Sequence, residues 1–184
     1  MSLKQKLLIY LKGLYPAFVN FIINLPPNDT FSNLHVRPFI VRMFGVNCVN
    51  KCKIRKPIYI QHHKNIVIGN NSFIFGQSYI DAMGSVTIGD NVRIAPQVMI
   101  VTGTHEIGKP ERRAGETLAE PIVIGDGCWI GARVTITSGV TIGEGCIVSA
   151  GSVVMRSMPA HSLIAGNPAR PVQKLDPKET AEKV

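Results

Sequence analysis

The chain has 184 residues, of which 45% are apolar and 17% charged, so it can bury the core of one domain, and wholesale disorder is excluded. The net charge of +8 is confined to the N-terminal part: residues 1–56 hold nine Lys and Arg against one acid, Asp29, whereas residues 57–184 hold eleven of each sign. A neutral main body points away from a nucleic-acid partner. Four cysteines without a CxxC pair, and no signal-peptide cleavage pattern, predict reduced thiols, no zinc site and a cytoplasmic setting.

Residues 1–44 read as a basic helical cap. The apolar run Leu7–Leu25 is broken by Lys12, Gly13, Pro16, Asn20 and Asn24, which argues against a spanning helix. Leu7, Leu11, Leu14, Phe18 and Phe21–Ile22 recur at helical intervals until Pro26–Pro27, a stripe expected to cover the first part of the main domain. The flanking positive charge offers a peripheral contact with anionic lipid or acidic polysaccharide.

From residue 45 a six-residue period takes over. Counting from Cys48, the series runs Cys48, Ile54, Ile60; Ile68, Ile74, Ile80; Ile88, Ile94, Ile100; Ile124, Ile130, Ile136; and Ile142, Val148, Val154. Twelve of these fifteen positions are Ile in a chain with 22 Ile, far above chance. In a helix, a step of six would place successive Ile about 120° apart, whereas an even step keeps them on one side of extended chain. Small or polar residues after most of the Ile permit corners, and a second slender position falls four residues after each. The pattern predicts an all-β solenoid: a parallel β-helix of about five triangular coils over residues 45–160, with bulged corners near 61–67 and 81–87. Cys52, Cys128 and Cys146 occupy the slender inward site and Cys48 an Ile site, so all four read as small buried hydrophobes. His62–His63 reads as a surface pair and not a metal site, because adjacent strand residues face opposite sides. Residues 161–184 form a closing segment and polar tail.

The segments IGDNVRIAPQVMI (88–100) and IGDGCWIGARVTITSGVTIGEGCIVSAGSVV (124–154), with the interrupting loop 101–121 and the closing AGNPAR (165–170), resemble the hexapeptide-repeat acyltransferases. The resemblance spans residues 45–175 and is nearest to the galactoside, maltose and capsule-polysaccharide O-acetyltransferases. It implies a left-handed coil, a homotrimer with active sites between subunits, and acetyl-CoA as the acyl donor, without metal. The acceptor it implies is a sugar or polysaccharide-precursor hydroxyl.

The loop 101–121 leaves the ladder carrying His105, where a rigid scaffold places functional groups. Acyl transfer to an alcohol needs a base with a pKa near neutrality, and an imidazole supplies one. The resemblance makes His105 that general base. Its second ring nitrogen needs a fixed acceptor, for which Glu116, Glu106 and a backbone carbonyl are candidates, and the resemblance favours Glu116. It also implies oxyanion donors at the Gly131–Ala132 corner and Trp129 beside the donor. Close backbone contacts with coenzyme A are implied at Ala132, Ala150 and Gly151, and phosphate-facing cations at Arg156, Arg170 and Lys174. Met155 stands where a hydroxyl residue is common, which removes one polar contact. No serine carries an attached base, so direct transfer is expected over an acyl-enzyme. Asp81 and Gln77 are the acceptor-contact candidates. The segment Ile74–Met83 lacks the Asn of galactoside-type members, which argues against a simple galactoside. The alternatives are N-acetylation of an amino-sugar nucleotide or antibiotic, a metal-dependent lyase resembling gamma carbonic anhydrases, and a purely structural β-helix.

Overall fold

The computed structural model describes residues 3–176, with the side chains of residues 3–4 and 6–13 outside that description. Each turn of the chain lays down three short strands. The first coil is Asn47–Cys48, Lys53–Ile54 and Ile58–Gln61, and the second is Ile66–Ile68, Phe73–Ile74 and Ser78–Asp81. The third is Val86–Ile88, Arg93–Ile94 and Met99–Val101, and the fourth is Ile122–Ile124, Trp129–Ile130 and Thr135–Ile136. The fifth is Thr141–Ile142, Ile147–Val148 and Val153–Val154. Corresponding strands stack in parallel into three sheets, here faces 1, 2 and 3 in the order the chain visits them. Beyond the five coils expected, Met158 and Ser162–Gly166 begin a sixth turn, and Ala169–Lys174 folds back antiparallel along face 2.

The isoleucines explain this winding. Ile54, Ile74, Ile94, Ile130 and Val148 pair in register up face 2, and Ile60, Ile80, Ile100, Ile136 and Val154 up face 3. All fifteen repeat positions are at most 4% exposed. Coil spacing of about 4.8 Å satisfies the backbone along the axis while stacking aliphatic side chains down the middle. The four cysteines are buried as expected. Burial pushes the Cys128 thiol up to about 11, so it remains protonated at neutral pH. The two-residue excess of the early coils is absorbed where expected, by a short helical turn at His63–Asn65 and by the corner at 82–85.

The helical segment caps the prism differently from the expectation. The first helix, α1 (Leu3–Asn24), and a second, α2 (Arg37–Met43), are joined through a wider turn at Ser32–Val36. Leu7 and Leu11 of the predicted stripe lie outside the described side chains. Leu14, Phe18 and Phe21 face away from the coil and are exposed, while Val19 and Ile23 pack inward. The reason lies in the strand beneath, whose open edge needs polar partners. Asn20 accepts from the Ile60 N–H at 2.8 Å and donates to the Ile60 carbonyl at 2.8 Å. Asn24 does the same for Ile58, at 2.9 and 2.7 Å. Four residues of helix rise about 6 Å and two residues of strand about 6.6 Å, so two amides one helical turn apart match alternate strand residues. The other two edges are closed by arginines. Buried Arg37 donates to the Ile54 carbonyl at 2.9 Å, and Arg42 to the Cys48 carbonyl at 2.5 Å. Each face of the first coil therefore ends on a side chain from the cap.

His63 is a second correction. It is buried under Tyr15, with the rings 6.3 Å apart edge to face, whereas its neighbour His62 stays exposed. The helical turn of the bulged corner tucks one ring under the cap.

Two outcomes follow from the cap. Asn20→Ala leaves the N–H and carbonyl of Ile60 unpaired and should cost about 1–3 kcal/mol in urea unfolding, with Asn20→Asp failing to restore it because the carboxylate cannot donate. Burial, and after it the proximity of His62, lowers the His63 pKa from its ordinary value. The unfolded chain therefore takes up a proton below about pH 6.5 that the folded chain refuses, so this contribution is present above that pH and is lost as pH falls. The thermal midpoint should drop between neutral pH and pH 5, and His63→Phe should flatten that drop.

Candidate active site

The series of coils is interrupted once, where the chain passes from face 3 of the third coil to face 1 of the fourth. Strands Gly103–Ile107 and Ala114–Ala119 leave the corner there as an antiparallel hairpin with almost every residue exposed. Its root is held by Thr102, which is buried. The Thr102 hydroxyl donates to the Asp81 carbonyl at 3.0 Å and accepts from the Gly84 N–H at 2.9 Å. The Ser138 hydroxyl, one coil further on, donates to the Thr102 carbonyl at 2.7 Å and accepts from the Glu120 N–H at 3.1 Å. Both ends of the hairpin are thereby fixed to the prism. Sequence reading missed these two residues, although Thr102 was recognisable as a polar residue two after a ladder isoleucine.

His105 stands on the first strand of the hairpin, opposite Thr117. Its Nδ1 lies 3.2 Å from the Gly115 carbonyl oxygen. A carbonyl only accepts, so the neutral ring carries its proton on Nδ1 and presents an unprotonated Nε2. Of the three partners left open by the sequence, the backbone carbonyl occupies the position. Glu116 is the next residue along that strand and is exposed. Gly115 is required by close approach, since a Cβ there would lie 2.9 Å from the Glu106 carbonyl oxygen.

Asp81 ends the face 3 strand of the second coil, paired with Val101 directly below the hairpin. Its Oδ1 is 2.9 Å from Nδ1 of His62, and its Oδ2 would be 3.5 Å from a Cβ on Gly103. Asp81 thus sits at the foot of the His105 hairpin, joined by a histidine that sequence reading did not connect with it. Exposed Arg156 follows face 3 of the fifth coil and lies on the same corner of the prism.

The remaining predicted residues lie elsewhere. Gln77 immediately precedes the strand Ser78–Asp81 that Asp81 ends, so it occupies the corner between faces 2 and 3. Its Oε1 accepts from Gln97 at 3.0 Å, and Gln97 accepts from Arg133 at 2.7 Å, forming a polar column up that corner. Gly131, Ala132, Ala150 and Gly151 continue the corner at the fourth and fifth coils. Trp129 projects from face 2 between Arg93 and Ile147, 54% exposed. Arg170 and Lys174 are exposed on the returning strand along the same face. Within one protomer, face 3 separates the His105 corner, which also carries Arg156, from the corner and face that hold the other residues expected on the donor side.

The glycines of the second corner differ in kind. A Cβ on Gly131 would be 2.6 Å from the Ala150 nitrogen, so this glycine is required by the coil stacked on it. The Gly131 N–H is already donated to the Val148 carbonyl at 2.8 Å, which corrects the expectation that it serves as an oxyanion donor. The Ala132 N–H has no hydrogen bond among the described residues and is a free donor at that corner, as is the Ala150 N–H. Gly151 has φ of +74°, yet Gln77, Gln97 and Arg133 hold similar angles with long side chains, and a Cβ on Gly151 would meet nothing within 4 Å. Neither turn geometry nor packing within the protomer explains that glycine. Among the described residues no group of three His, Cys, Asp or Glu is placed to hold a metal ion.

Comparison with known proteins agrees with this architecture. Residues 121–156 match the family described as bacterial transferase hexapeptide (six repeats), and residues 65–96 the hexapeptide repeat of succinyl-transferase. The chain is 37% identical over 149 residues to galactoside O-acetyltransferase of Escherichia coli K12, covering 80% of this chain and 73% of that protein. The structure of a maltose O-acetyltransferase from Clostridium difficile superposes with a TM-score of 0.80 at 31% identity, over 92% of this chain and 89% of that one. A hexapeptide-repeat acetyltransferase from Vibrio cholerae, solved with acetyl coenzyme A, superposes with a TM-score of 0.77 at 32% identity, over 88% and 85% of the two chains. The chain belongs to the hexapeptide-repeat acyltransferase family, and its prism is the left-handed parallel β-helix of that family. It is an acyltransferase.

The two glycines give a direct check. Gly131→Ala should cost about 1–3 kcal/mol in urea unfolding, because a backbone atom stands where the methyl must go. Gly151→Asn, which tolerates left-handed backbone, should stay within about 0.5 kcal/mol of the parent.

Proposed function

We propose that the protein transfers an acetyl group from acetyl-CoA directly to a hydroxyl of a sugar or polysaccharide precursor, with His105 as general base, at a site completed between subunits of a homotrimer. The observation that carries this reading is the Nδ1 contact of His105 with a carbonyl, which leaves Nε2 basic on a rigidly rooted hairpin that projects from the prism. The galactoside and maltose O-acetyltransferases among the similar proteins support the choice of a sugar hydroxyl, and the acetyl coenzyme A complex of the Vibrio cholerae structure supports the donor.

The chain's own residues divide the chemistry as follows. Nε2 of His105 takes the proton of the acceptor hydroxyl as its oxygen attacks the thioester carbonyl. The Gly115 carbonyl holds the ring in the required tautomer, and Glu116, one residue along the same strand, adds negative charge on the hairpin as the imidazolium forms. The Ala132 N–H donates to the oxyanion. The proton held by His105 then passes to the departing thiolate, so the product is an ester and free coenzyme A. Ala132, Ala150 and Gly151 leave an open corner for the pantetheine arm, beside Trp129 and within reach of the cations Arg170 and Lys174, with Arg156 on the facing corner. His105 and this donor corner lie on different edges of one prism, so bringing His105 of one copy to the donor corner of the next completes the site. Asp81, held by His62 at the foot of the hairpin, contacts acceptor hydroxyls, and Gln77 reaches them from the donor corner of the adjacent subunit.

The test is coenzyme A release with a panel of saccharide hydroxyl and amine acceptors, together with the mass of the product, which should gain one acetyl unit on a saccharide oxygen. His105→Ala should lower kcat/KM by about 10²–10⁴-fold without lowering the thermal midpoint, since the side chain is exposed. Glu116→Gln should cost less than about tenfold, because the carbonyl continues to orient the ring. Gly151→Asn should raise KM for acetyl-CoA while leaving stability near that of the parent. Full activity in His105→Ala would remove the general-base assignment.

A further inference from the structure

The hydrogen bonds of a sheet run across its strands, so in this prism they run along the long axis. Asn20 and Asn24 take up the last of them on face 3, which places α1 at the basal end of the prism. The side of the cap helix turned away from the inward-packed Val19 and Ile23 is apolar. Leu14, Phe18, Phe21 and Leu25 follow one another at steps of four, three and four residues and are 44–62% exposed. Phe39 and Met43 of α2 add to the exposed apolar surface of the same cap. The first coil, on which the cap packs, carries Lys51, Lys53, Arg55 and Lys56, with Lys53 and Arg55 lying over the rings of Phe73 and Phe75, and the first 80 residues of the sequence contain ten Lys and Arg against the single acid Asp29. An exposed apolar helical stripe within a region of net positive charge suits a helix that lies in the interfacial plane of an anionic membrane. No helix among the described residues is long and apolar enough to cross one.

We propose that this basal end docks on an anionic lipid bilayer, with the exposed stripe of the cap inserted among the headgroups and the net positive charge of the N-terminal region drawn to the lipid charge. Charge complementarity selects this occupant. A second copy seated on the stripe would bring two surfaces of the same positive sign together, whereas acidic headgroups supply the opposite sign. An acidic polysaccharide would answer the cations but would leave the stripe without a partner.

The experiment is cosedimentation of the full chain with phosphatidylcholine vesicles, with and without phosphatidylserine, in the absence of any acceptor or acetyl-CoA. It therefore stands or falls separately from the transferase reading. The parent protein should sediment with the serine-containing vesicles, bind the neutral ones on the order of tenfold less, and lose binding as salt is raised. The double substitution Phe18→Ser/Phe21→Ser should weaken binding to anionic vesicles by on the order of tenfold or more. Its thermal midpoint and its size on gel filtration should stay at the parental values. Absence of binding to anionic vesicles would overturn the proposal. So would binding that survives the double substitution, which assigns the surface to charge alone. A smaller assembly formed by the double variant would overturn it as well, because it assigns the stripe to a second copy.

Discussion

Everything in this molecule depends on aliphatic side chains that return to one interior column each time the backbone turns. The vertical spacing of the column is set by the hydrogen bonds between coils, and the horizontal size by the isoleucines that fill it. Neither length is adjustable. Corners must then fall at fixed residues, and outward groups stand above one another in straight columns, as Gln77, Gln97 and Arg133 do. Positioning in a solenoid comes from counting residues, which is why a short chain with few aromatic residues can place functional groups without a large three-dimensional core.

A stack of coils leaves an open edge at each end, and the two ends are closed by different means. At the top the chain runs back on itself as an antiparallel strand. At the base, side chains imitate the missing coil, with two asparagines and two arginines offering the donors and acceptors that another strand would have supplied. Asparagine suits the role because its amide carries a donor and an acceptor side by side, as a peptide group does. Such amides also leave nothing for a foreign strand to pair with, and end-to-end growth of the solenoid is prevented.

The ladder, its bulged corners, the inward cysteines and the departure of the hairpin were all legible in the sequence, because each depends on the even spacing of residues along one strand direction. What escaped reading depends on neighbours that spacing does not reveal. The apolar period of α1 is the same whether the stripe points to the core or away from it, and only the open edge at Ile58 and Ile60 decides the question in favour of Asn20 and Asn24. Burial of His63 needs Tyr15 from a distant helix. Gly131 and Gly151 read alike as corner glycines, yet one is confined by the coil above and the other faces open space. Asp81 and Gln77 look adjacent in the chain but end on different edges, because the strand between them spans a whole face.

The ladder closes beneath the His105 hairpin without a gap: Ile88 pairs with Ile124 and Ile100 with Ile136 across the insertion. The hairpin therefore hangs from two neighbouring points, Thr102 and Glu120, and contributes nothing to the column beneath. Its length and chemistry are thermodynamically uncoupled from the folding of the barrel of coils. Evolution can redraw this projection while leaving untouched the part of the sequence that makes the chain fold.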